Sequence, residues 1–283
     1  MNASHAAPTP ARTPPSRIVT ASRILMHGML PPQQYGMSYP KSGRTWLRAM
    51  IGHVLCARTG ISHEYLLSTR LLIAAAGLQT LKWHHGGGSL KVNCVPWDAL
   101  EFNHRLFDGK RILFLMRDPR DTLVSAYFHA TKRIRVFDGD ISTFVRSSER
   151  GILKWIAYHN MWHANRELLR SFRLVTYEAL HATPVPTLRS AIEAIGLDDT
   201  TDAELEAAIE FARFENLKKL EEGAAVRKAA LRPKDQDDPE SFKVRKGRVG
   251  GYRQSLSDDD IAFIEDALAA NPCPLYQAHY AQG

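Results

Sequence analysis

The sequence predicts an α/β protein in three layers, with a central, mainly parallel sheet flanked by helices. Three observations carry that prediction. A short extended piece at 36–39 turns sharply at 40–43 and feeds Trp46, Leu47, Met50, Ile51, Val54 and Leu55, which are apolar at helical spacing. The stretch from Arg111 to Met116 is a continuous apolar run of the kind an interior parallel strand needs when both its faces are covered. Strand-like and helix-like segments then alternate along the chain, which implies right-handed βαβ crossovers and ligand binding beyond the carboxyl ends of the strands.

Taken in order, residues 1–22 form a Pro/Thr/Ser/Ala-rich stretch without the apolar core of a signal peptide, and they read as a disordered arm ahead of one domain at 23–283. The first strand at 36–39 leads to a helix at 45–58, and Leu66, Leu67, Leu71, Leu72 and Ile73 suggest a second helix over 64–76, ended by Gly77. A strand at 78–84 stops at Gly86, Gly87 and Gly88, and a helix near 97–106 precedes the strand at 111–116. Asp118 is a natural N-cap with Pro119 at the first helical position, for a helix reaching about residue 133. Helices at 141–149 and 154–170, a strand at 173–177 and helices at 184–195, 202–211 and 214–220 follow. The charged, apolar-poor segment 223–244, with Pro233 and Pro239, reads as a mobile loop. Ser257 caps a terminal helix whose apolar side carries Ile261, Ile264 and Leu268.

Composition bounds the function. With 283 residues and 44% hydrophobic content the chain can bury a full core, and no apolar run is long enough to span a membrane. The net charge of +7 comes from scattered basic residues with small knots at 132–135 and 243–253, not from a basic stripe interleaved with aromatics. A polyanionic small ligand explains such knots without nucleic acid. Cys56, Cys94 and Cys273 are odd in number and lack metal-ligand spacing, which suits reduced thiols in a cytoplasmic protein.

The stretch Tyr39-Pro40-Lys41-Ser42-Gly43-Arg44-Thr45-Trp46 places a lysine and a glycine turn at a helix N-terminus. Converging backbone N–H groups and the positive end of the helix dipole make an anion cradle there, with Lys41 as a mobile charge. The same residues also suit an ordinary strand-to-helix turn with a surface lysine. A Walker A loop would carry a glycine directly before the lysine, where this chain has Pro40.

The stretch resembles the 5′-phosphosulfate loop of sulfotransferases, the enzymes that use 3′-phosphoadenosine 5′-phosphosulfate (PAPS), whose pattern is Tyr-Pro-Lys-Ser-Gly-Thr-Thr-Trp; Arg44 replaces the first threonine. Two further segments match in the family's order. Arg117-Asp118-Pro119-Arg120-Asp121 with Ser125 resembles the 3′-phosphate segment, and an arginine fork with a hydroxyl suits a phosphate. Arg245-Lys246-Gly247 with Gly250 resembles the segment that folds over the cofactor, with Gly251 and Tyr252 in place of the family's Asp and Trp. The resemblance covers roughly residues 35–255 and implies a P-loop nucleotide-binding-like fold.

Carried over residue by residue, it implies that Lys41, Ser42, Gly43, Arg44, Thr45, Trp46, Arg117, Ser125, Tyr177, Phe214, Arg245, Lys246 and Gly247 hold the cofactor, with Trp46 and Phe214 flanking the purine. Lys41, His84 and Ser125 are the expected catalytic residues. Lys41 would stabilise the leaving oxygen, and His84, in Leu81-Lys82-Trp83-His84-His85, would be the general base. If residues 81–85 are extended, alternation puts Lys82 and His84 on one side of the sheet and His85 on the other, unless the glycines that follow break the alternation and swing His85 inward as the base. The implied reaction is in-line transfer of a sulfuryl group from PAPS to a hydroxyl or amine of a small-molecule or sugar acceptor, releasing adenosine 3′,5′-bisphosphate (PAP) without a metal. The expected partners are that acceptor alone, with no nucleic acid and no membrane span; a homodimer is left open. The segment 86–89 and the aromatic helix at 154–163 are expected to line the acceptor pocket. The competing readings are a P-loop nucleotide kinase or NTPase and a non-catalytic binder of an adenosine bisphosphate.

Overall fold

The computed structural model describes residues 14–91, 94–222 and 247–280. Helix α1 (Arg17–Met29) is followed by β1 (Gln34–Ser38), α2 (Arg44–Thr59), α3 (Thr69–Ala75), β2 (Leu81–His84), α4 (His104–Phe107) and β3 (Arg111–Met116). Helices α5 (Pro119–Phe128), α6 (Ile141–Arg146) and α7 (Ile152–Ala164) lead to β4 (Ser171–Thr176). The chain continues through α8 (Tyr177–Ala182), α9 (Pro184–Glu193), α10 (Asp202–Phe211), α11 (Phe214–Glu222), α12 (Asp258–Ala270) and α13 (Pro274–Tyr280).

The four strands form one parallel sheet in the order β2-β1-β3-β4. Because successive crossovers leave β1 in opposite directions, the sheet has a switch point between β1 and β3, where parallel sheets open a crevice at the carboxyl ends. Strand alternation supplies both cores. Leu113 and Leu115 join Leu47, Met50 and Ile51 of α2 on one side, while Ile112, Phe114 and Met116 join Trp155, Tyr158 and Trp162 of α7 on the other. Helices cover both faces, as the composition of β3 requires.

Several local expectations change. The arm expected through residue 22 gives way at Arg17 to α1, capped by Ser16, and Arg23 fastens it to α3 by donating to the Ala75 carbonyl at 3.3 Å. The helix expected over 64–76 is broken at 66–68, because a short turn over 63–65 lays the Leu66 carbonyl against Gly52 of α2. The helix expected near 97–106 is a single turn after Pro96 and a separate four-residue α4 capped by Asn103. The 154–170 helix stops at Asn165, whose side chain donates to the Met161 carbonyl, and a short turn then feeds β4. The mobile loop expected at 223–244 lies outside the described residues. Asp118 and Ser257 cap α5 and α12, the latter in a reciprocal box with Asp260.

Candidate active site

Between β1 and α2 the chain makes two left-handed turns. Gly43 has φ 91°, and a side chain there would meet the Tyr177 ring at 2.4 Å, so glycine is required sterically as well as conformationally. Lys41 has φ 74°, a sparsely populated conformation for a residue with a Cβ, and such strain collects at ligand sites. The Ser42 hydroxyl, expected to meet the cofactor, is fully buried and donates to the Tyr39 carbonyl at 3.0 Å, so it holds the turn from within. No acidic residue occupies the first turn of α2, which leaves the positive end of its dipole uncompensated locally.

A cavity of about 450 Å³ opens over this turn, lined by Lys41, Gly43, Arg44, Thr45, Trp46, Arg117, Ser125, Tyr177, Phe214 and Gly247, all expected from sequence. Arg245 and Lys246 lie outside the described residues. Arg117, the first residue beyond β3, spans the floor. Its guanidinium lies 4.2 Å from the Tyr177 ring centre, donates to the Arg248 carbonyl at 2.9 Å and sits 3.4 Å from the Asp121 carboxylate. Asp121, one helical turn along α5, accepts from the Gly250 and Tyr252 N–H groups at 2.8 and 2.9 Å. One carboxylate therefore ties the 247–252 segment to the helix that carries Ser125. Trp46 is anchored by its Nε1–H to the Ala212 carbonyl at 2.9 Å. Trp46, Tyr177 and His181 form an aromatic wall, with His181 at 4.5 Å from Trp46 and 4.7 Å from Tyr177 between ring centres.

The tandem histidines part company at the end of β2. His84 pairs with Met37 in the sheet, its ring packs edge-on to Phe107 at 5.9 Å, and it does not line the cavity, contrary to expectation. Burial, with Lys82 and Arg44 nearby, holds its pKa below the usual histidine value. Its Nδ1 accepts the Gly86 N–H at 2.9 Å, so the neutral ring carries its proton on Nε2. His85 lies past the strand and does line the cavity. Its Nδ1 faces the Ser38 carbonyl at 2.9 Å, and its Nε2 faces Arg44 Nη2 at 2.7 Å. A carbonyl only accepts and a guanidinium only donates, so the proton sits on Nδ1 and the Nε2 lone pair points toward Arg44 and the cavity. Gly86, at φ 50°, allows this turn: a Cβ there would strike Met37 and Trp162 at 2.7 Å.

The aromatic helix does not contribute to the cavity lining. Trp155, Tyr158, His159 and Trp162 of α7 are core residues with no measurable exposure. Sequence reasoning missed Asp121, His129, His181 and Arg213 as lining residues. His181 had a readable signal, four residues after Tyr177 and so on the same helical face. Asp121 stands at the same spacing from Arg117. Among the described residues no group of three or more His, Cys, Asp or Glu side chains could hold a metal ion, and no helix is long and apolar enough to cross a membrane.

Fold and turn together define a class: a P-loop-like α/β protein whose glycine turn and cavity lie at the carboxyl ends of parallel strands. The model of the sulfotransferase domain matches residues 101–272, more than half of the chain, and the protein belongs to that family. Curated relatives agree. Cytosolic sulfotransferase 17 of Arabidopsis thaliana is 25% identical over 253 residues, covering 82% of this chain and 71% of its own. Flavonol 3-sulfotransferase of Flaveria bidentis is 25% identical over 251 residues, covering 82% and 78%. Among solved structures, retinol dehydratase with androsterone and inactive cofactor PAP superposes with a TM-score of 0.58 at 13% identity, over 90% of this chain and 85% of its own. A mouse sulfotransferase complexed with PAP gives a TM-score of 0.54 at 15% identity over 90% of both chains. These structural likenesses establish the fold.

Proposed function

We propose that the protein transfers the sulfuryl group of PAPS to a hydroxyl or amine of a small-molecule or carbohydrate acceptor. The observation that carries this reading is the single cavity in which Lys41, Arg117, Ser125 and the Trp46–Tyr177 wall converge over the switch point of the sheet. In this reading the amides at the start of α2 and Lys41 receive the 5′-phosphosulfate, Arg117 and Ser125 grip the 3′-phosphate, and Trp46, Tyr177, His181 and Phe214 hold the purine. Solved relatives that carry androsterone or PAP support a small organic acceptor beside such a nucleotide. The name of the cytosolic relative, together with three free cysteines, supports an intracellular setting.

Chemically, the acceptor oxygen forms a bond to sulfur as the bond from sulfur to the bridging phosphate oxygen breaks. Lys41 stabilises the charge that arrives on that oxygen. The acceptor's proton passes to a histidine, and we assign this role to His85, whose Nε2 carries a lone pair and whose Nδ1–H is oriented by the Ser38 carbonyl. His84 offers a proton at Nε2 and is unsuited to take one. The test is a melting scan with PAP and with ATP plus magnesium. At a hundredfold over its dissociation constant a specific ligand adds about 2.7 kcal/mol of stability. PAP is expected to raise the melting temperature and ATP to do so far less; preferential stabilisation by ATP with magnesium would favour a kinase.

A further inference from the structure

Arg44 is a partly buried cation with neutral partners. Its Nη1 donates to the His84 carbonyl at 3.2 Å, its Nη2 to His85 Nε2 at 2.7 Å, and among the described residues it forms no ion pair with a carboxylate. Burial lowers its pKa, opposed by the nearby buried hydroxyl of Tyr158. Its position compounds the cost, because Arg44 is the first residue of α2, where the helix dipole is already positive and Lys41 stands three residues away. Arg117 lies against Asp121 and Arg120 against Asp118, whereas Arg48, one turn along α2, adds a further positive charge beside Arg44 and donates to the Leu67 carbonyl. Like charges at a helix N-terminus, with no carboxylate paired to Arg44 among the described residues, are the electrostatics of a site completed by an anion.

The partner that Arg44 does have is the nitrogen assigned above as the base. While the guanidinium donates to Nε2, that lone pair is occupied and cannot take a proton. An incoming anionic group within the cradle offers the guanidinium charge-assisted and bidentate bonds, stronger than a bond to a neutral imidazole. We propose that Arg44 is a positioning residue that reads the sulfonate of the donor. Without that group it covers His85 Nε2; with it bound, Arg44 turns to the sulfonate oxygens and releases Nε2 for the acceptor's proton. The base is thus exposed only when a transferable group is present, and PAP, which has no sulfonate, leaves it covered. This inference rests on the sulfuryl-transfer reading of the same cavity.

The test compares PAP with PAPS, in the absence of acceptor, on the full-length protein and on Arg44→Ala and Arg44→Lys. Affinities come from titration calorimetry, and the state of His85 comes from ¹⁵N-histidine NMR, with its signal assigned by its loss in His85→Gln. In the unaltered protein PAPS is expected to shift the His85 Nε2 resonance and PAP to leave it in place. The preference for PAPS over PAP should fall about tenfold in Arg44→Ala, the factor that 1.4 kcal/mol represents, with PAP affinity little changed. Arg44→Lys, which keeps the charge without the fork, should recover part of that preference and fold where Arg44→Ala does not. An unchanged preference in both variants, or a resonance that moves equally with PAP, overturns the role of Arg44 while leaving the parent reading intact. If the unaltered protein binds neither nucleotide, the sulfuryl-transfer reading falls and this inference with it.

Discussion

At the scale of single residues, the chemistry turns on which nitrogen of which histidine holds a lone pair. His84 accepts from a backbone N–H and His85 donates to a backbone carbonyl, so adjacent imidazoles adopt opposite tautomers. General-base catalysis contributes about 10²–10⁴-fold, and His85→Ala is expected to lose a factor in that range from kcat while PAP affinity survives. His84→Ala should lose far less, since its ring packs on Phe107 outside the cavity. Steady-state rates with a binding titration on each variant check this, and the reverse order would return the role to His84. Lys41, Gly43, Arg117 and Ser125 line the cavity as the motif resemblance implied, since each motif is a short contiguous stretch at a strand end and the helix after it. Which of the two histidines faces the cavity was not legible in the sequence, because alternation across a sheet predicts side-chain direction only while the strand lasts. Gly86 to Gly88 mark roughly where the strand stops, but not whether His85 still belongs to it.

At the scale of elements, the site depends on how α5 meets the segment that follows residue 246. Asp121 accepts two backbone N–H groups from that segment and faces Arg117, and it is itself buried. Replacing it by alanine leaves donors without an acceptor and a guanidinium without its anion, a loss of about 1–3 kcal/mol for each buried group left unpaired. Asp121→Ala is therefore expected to lower the melting temperature by several degrees and to weaken PAP binding, as melting and titration would show. Asp121→Asn, which retains one acceptor oxygen in place, should recover part of both; full affinity in the alanine variant would mean the segment is held otherwise. The α-helix expected from Pro119 to about 133 ends at Phe128 and continues as a π-turn over 129–133. Strand β3 and the start of helix α5 were predicted to the residue, since a saturated apolar run and an Asp-Pro cap are local signals. Helix α1 was not, because its outward face exposes Ile18, Leu25 and Met29, and its hold on α3 is tertiary. The break at 66–68 likewise comes from contact with Gly52, which local periodicity does not register.

At the scale of the whole molecule, one helix that looked like a pocket wall is instead part of the core, and this sets how stability depends on pH. The α7 aromatics bury His159 completely, against the Trp155 ring at 3.8 Å, and its Nδ1–H donates to the Trp155 carbonyl at 2.7 Å. Burial pulls its pKa from 6.5 down to about 3, with the Trp155 carbonyl opposing. His53, His84 and His181 are also held below their usual value, in each case chiefly by burial. The sign follows from proton counting. Below pH 6.5 these histidines take up protons more readily in the unfolded chain than in the folded one, so the unfolded state binds more protons and stability falls as pH falls. Above that pH the two states are alike and the penalty vanishes. Each such histidine contributes a slope of at most about 1.4 kcal/mol per pH unit. Urea unfolding between about pH 7 and 4.5, before most carboxylates titrate, should therefore show stability declining steadily. His159→Leu should flatten that decline by close to one proton, whatever its effect on stability at neutral pH. Equal slopes for the two proteins would mean that His159 is protonated in the folded state and that the α7 core admits a charge.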